Sequence, residues 1–77
     1  MTDEYLKEIE GRVDATTEGK WKADEGDDGV SVIYPANHDE QVIGRINKWP
    51  DAKFIAWARD DVRALIDEVR RLREQKR

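Results

Sequence analysis

No cysteine occurs in the chain, which excludes a disulfide scaffold, a thiolate metal site and a reactive thiol. Histidine is nearly as scarce, with His38 the only one. Its neighbours Asp39 and Glu40 make it the nearest approach to a metal ligand set, but a stable site needs three or four convergent ligands. Ser31 is the only serine and falls in a strand-like run, with no base and orienting residue spaced to complete a triad. No glycine-rich phosphate loop is present. No apolar run approaches the ~18 residues of a membrane span, and the acidic start is unlike a signal peptide. These absences predict a non-enzymatic protein of the cytoplasm that needs no metal and no cofactor.

What the chain has in quantity is charge. Charged residues make up 42% of it against 38% hydrophobic, close to the composition of disordered chains. Three tryptophans and a periodic C-terminal half argue instead for a folded core. A length of 77 residues supports one domain, residues 1–77, with a small core. Residues 1–40 carry 12 acids and 4 bases (net −8), and residues 41–77 carry 6 acids and 10 bases (net +4), together the −4 of the whole. Such halves either complement each other, within one fold or across a dimer, or meet separate partners of opposite charge.

The C-terminal third predicts a long helix over residues 51–75. Ile55, Ala58, Val62, Leu65, Val69 and Leu72 recur at spacings of 3 and 4, the rhythm of a coiled-coil seam. Asp51 is the expected N-cap after Pro50, and Arg70, Arg71, Arg73, Lys76 and Arg77 crowd the end where cations complement the helix dipole. At 1.5 Å per residue such a helix is about 39 Å long. A compact chain of this length has a radius of gyration of about 11.5 Å. The rod therefore overhangs its globule, and Val69 and Leu72 meet water unless something covers them. A second copy is the favoured cover, a dimer first, through Val62, Leu65, Val69 and Leu72. The alternative is that the N-terminal segment folds back along the seam.

Ahead of that helix, Thr2 with Asp3 and Glu4 is a helix start, and Leu6, Ile9 and Val13 give a narrow apolar face, predicting a helix over residues 3–15. Strands are predicted over 20–23 around Trp21, over 30–34 with Pro35 stopping it, and over 41–46. Short connections make them an antiparallel meander spanning residues 20–46. The fold class is α+β, in the order α-β-β-β-α. Phe54, Ile55, Trp49, Trp21, Val30 and Val32 are the expected core. The acidic turn 24–29 fails a calcium-loop test: with Asp24 first, the closing glutamate falls on Pro35.

Two surface features raise partner questions. Arg63, Arg70 and Arg77 recur every 7 residues along the helix, a stripe that could follow phosphates. Asp67, Glu68 and Glu74 interrupt it, and the chain as a whole is acidic. A small nucleic-acid-contacting regulator using Arg70 and Arg73 is the alternative function, with an acidic mimic of nucleic acid beside it. Trp57 lies off the flank of the seam and is the candidate for contact with a partner protein, or else covers the sheet edge.

Two stretches also resemble a known family. The segment 15–21 (ATTEGKW) resembles an A-T-x-G-x-W motif. Residues 51–59 (DAKFIAWAR) with 62–73 (VRALIDEVRRLR) resemble a D-A-x-F-I-A-x-A-R … V-x-A-L-L-x-E-V-x-R-L-R ending. Both occur in small accessory proteins of phages and prophages, the Ead-like family among them. The chain departs from that pattern at Glu18, Lys20 and Arg63, where proline is common in the family. The resemblance implies a phage-encoded accessory protein acting on host defence or host regulation by binding a host protein. It brings no catalytic residues with it.

Overall fold

A computed structural model describes residues 1–37 and 41–75. His38, Asp39 and Glu40 lie outside the described residues, as do Lys76 and Arg77. The elements run α1 (Asp3–Asp14), β1 (Trp21–Glu25), β2 (Ser31–Pro35), β3 (Gly44–Ile46) and α2 (Trp49–Glu74). The sheet is an antiparallel meander in the order β1-β2-β3, so the chain has the α+β architecture its sequence predicts.

Thr2 caps α1 as expected, its hydroxyl accepting from the Tyr5 amide at 3.1 Å, while Asp3 and Glu4 sit in the first turn. The start of α2 differs. The N-cap is Lys48, with no side-chain cap bond, and Pro50 is inside the first turn. Proline is tolerated there because its missing N–H would have had no helical partner. Asp51 is a first-turn acid rather than the cap. The β1–β2 hairpin closes through Gly26 N–H to the Val30 carbonyl at 3.0 Å, and Gly29 supplies the turn's positive φ of 82°.

The buried face of β2 is the one opposite to expectation. Ser31, Ile33 and Pro35 point into the core, while Val30 and Val32 are half-buried. The strand ends at Pro35 as expected, with the proline as its last, buried residue. The register explains the parity. Ile33 pairs with Ala23 on one side and Gly44 on the other, and these small neighbours let α2 approach closely on Ala52 and Ala56, both buried. Trp21, Trp49 and Ile55 pack around this cluster as predicted. Phe54 does not. It is 73% exposed, because it lies on the side of α2 away from the sheet.

A second cluster joins the helices: Leu6 and Val13 of α1 with Ile66 of α2, flanked by Ile9, Val62 and Val69. The core is therefore two small clusters strung along α2. This gives an elongated molecule, 53 × 22 × 17 Å with a radius of gyration of 15.1 Å. The expected overhang is corrected accordingly. The C-terminal half of α2 projects beyond the sheet, but α1 lies antiparallel along it, placing Asp3 by Arg73 and Asp14 by Arg63. Val69 is half-buried beneath α1, and Leu72 stays exposed.

Candidate interaction surface

The helical hairpin has two unlike sides. On one, arginines of α2 meet carboxylates of α1. Arg70 donates to both oxygens of Glu10, one bond at 2.8 Å, Arg63 bonds Asp14 and lies 3.6 Å from Glu10, and Arg73 bonds Asp3 and the Met1 carbonyl. The bond from Arg70, with the charges of Arg70 and Arg63, holds the Glu10 carboxyl below its ordinary range against a smaller opposing effect of burial. The Arg70 guanidinium is correspondingly raised, chiefly by its bond to Glu10, and that of Arg63 by its bond to Asp14. The opposite charges of the two halves of the chain thus meet inside one fold.

The other side is apolar and open. Met1, Ile9, Val62, Leu65 and Val69 line a groove between α1 and α2. Around Ile9 and Val62 it continues into a cleft of about 340 Å³ reaching Trp21, Ile55 and Ala58. Leu65 is 63% and Leu72 47% exposed. By helical periodicity Phe54, Leu65 and Leu72 fall within about 20° of one another, so these three exposed residues share one side of α2, with Asp61 and Glu68 between them.

The predicted seam is therefore divided. Val62 and Val69 are half-buried against α1, while Leu65 and Leu72 face solvent. Arg70 and Arg73 lie on the ion-paired side, not with them. Trp57 is 53% exposed, remote from the seam, with the Lys20 ammonium 5.0 Å from its ring centre. Arg77, the third member of the arginine stripe, and His38 fall outside the described residues.

Two residues hold the elements together without standing out in the sequence. Ile66, 2% exposed, carries the helix–helix cluster from one position beyond Leu65, and the apolar spacing of Leu6, Ile9 and Val13 was the signal that α1 needed a partner. Arg59 is the other. Its Nε donates to the Thr16 hydroxyl at 2.8 Å and its Nη1 to the Gly19 carbonyl at 3.2 Å, tying the α1–β1 connection to α2. No feature of sequence spacing announces such a contact.

Among the described residues no cluster of three or more metal-ligating side chains occurs, and no helix is long and apolar enough to cross a membrane. No family model, curated protein or solved structure matches the chain.

Proposed function

We propose that this chain is a non-enzymatic binding protein that pairs with a second copy of itself through the open side of the α1–α2 hairpin. The observation that carries this reading is the row of exposed Phe54, Leu65 and Leu72, spaced by Asp61 and Glu68, beside the groove of Met1, Ile9 and Val62. A patch of this kind on a chain that is 42% charged is expected to be covered by another surface. An isologous contact between identical apolar faces is the simplest cover. In keeping with the phage-accessory resemblance, the paired protein would work in the host cytoplasm by binding a host protein.

The double substitution Leu65→Asp with Leu72→Asp tests the pairing. Both side chains are exposed, so the single-chain fold should survive by circular dichroism while the sedimenting mass falls to that of one chain. An unchanged mass in the double variant overturns the proposal. The nucleic-acid alternative rests on arginines that already hold carboxylates, Arg63 and Arg70 among them. It predicts salt-dependent DNA binding that is lost on Arg70→Glu with Arg73→Glu.

A further inference from the structure

The edge of the sheet at β1 is open, and its chemistry is unlike that of the helical hairpin. In the β1–β2 ladder Ala36 N–H donates to the Lys20 carbonyl at 2.7 Å and Gly26 N–H to the Val30 carbonyl at 3.0 Å. Antiparallel alternation then directs the backbone groups of Lys20, Lys22, Asp24 and Gly26 toward β2, and those of Trp21, Ala23 and Glu25 outward. β1 is an edge strand, so the outward groups form a short unpaired row. Beside this row runs a groove whose other wall is α2, presenting Trp49, Lys53, Ala56 and Trp57. These follow one face of the helix.

The groove carries a small excess of lysine in an acidic protein, Lys20, Lys22 and Lys53 against Asp24 and Glu25. Lys20 and Lys53 lie 5.0 and 6.0 Å from the ring centres of Trp57 and Trp49, and Lys22 is exposed on β1. Every ion pair among the described residues uses an arginine, so these three ammonium groups have no carboxylate partner there. The groove's own Asp24 already accepts from the Tyr34 hydroxyl at 2.6 Å.

We propose that an extended acidic segment of a partner protein adds to β1 as a fourth strand, bonding the outward backbone of Trp21, Ala23 and Glu25 and setting its carboxylates against Lys20, Lys22 and Lys53. Main-chain bonds supply the affinity in this mode of recognition, and the groove wall supplies the selectivity. A second copy fits the edge poorly, because its own Lys20, Lys22 and Lys53 would be brought against the same lysines. An acidic segment meets no such repulsion. This inference deepens the reading of the chain as a binding protein and is independent of its pairing through the hairpin.

The test is fluorescence anisotropy of the full chain with a labelled peptide of about eight residues alternating valine and glutamate. Saturable binding is expected, with amide shifts confined to β1 and the Trp49 and Trp57 indoles. A valine–lysine peptide should bind at least about tenfold more weakly. Methylating alternate amide nitrogens of the acidic peptide should abolish binding. Ala23→Pro should do the same with the hairpin intact, since only an outward N–H is lost, and Lys53→Glu guards against a folding defect in that variant. No binding at millimolar peptide, equal binding of the lysine peptide, or tolerance of the methylated backbone each overturns the proposal. If instead Ala23→Pro lowers the chain's mass without affecting peptide binding, β1 is a contact between copies and the proposal also fails. Failure of hairpin pairing would appear as a monomeric chain that still binds the peptide.

Discussion

Ser31 is fully buried between Glu25 and Ile46, and its hydroxyl has no hydrogen-bond partner among the described residues. A buried polar group left unpaired is destabilising. Ser31→Ala removes it with little change of volume and should raise stability by about 1 kcal/mol, read as a higher urea midpoint. Glu10 makes a second prediction at this scale. Its carboxyl loses its proton more readily when folded than when unfolded, so it stabilises the fold above the ordinary value near 4.5 and stops doing so as pH falls through the lower folded value. Glu10→Gln should therefore be less stable than the parent at neutral pH. In urea titrations the difference should shrink as pH falls below the ordinary value and vanish once it is below the lower folded one. A difference that persists at low pH would assign Glu10 a packing role instead.

At the scale of elements, α1 is short and glycine-containing, so its helicity depends on its contact with α2. Ile66→Ala leaves a cavity beneath Leu6 and Val13 and should cost about 3 kcal/mol. Loss of α1 protection in hydrogen exchange, with the β1–β2 hairpin still protected, would show that the two core clusters melt separately. The element order and the three-stranded meander were legible in the sequence because periodicity and turn residues mark them locally. The buried face of β2 was not. Val30 and Val32 look like core residues, and only the pairing of Ile33 with Ala23 and Gly44 selects the other parity. Phe54 misled for a related reason: its neighbours Ala52 and Ala56, not the largest side chain, make the close contact with the sheet.

The shape of the whole molecule follows from α2 serving as its spine, with the sheet on one end and α1 on the other. The heptad rhythm of α2 showed that its seam needed cover and favoured a second copy, whereas Val62 and Val69 are covered by α1. α1 takes one flank through the cluster of Leu6, Val13 and Ile66, bordered by the Asp3, Glu10 and Asp14 pairs with arginines. Leu65 and Leu72 remain on the other. That residual stripe underlies the proposed pairing, and the double aspartate substitution is its structural control. The most direct measurement is the light-scattering mass of the purified chain at tens of micromolar. A paired protein gives twice the 9.0 kDa of one chain, falling toward 9.0 kDa on dilution. A mass of 9.0 kDa at every concentration up to millimolar, with α2 fully helical, contradicts it.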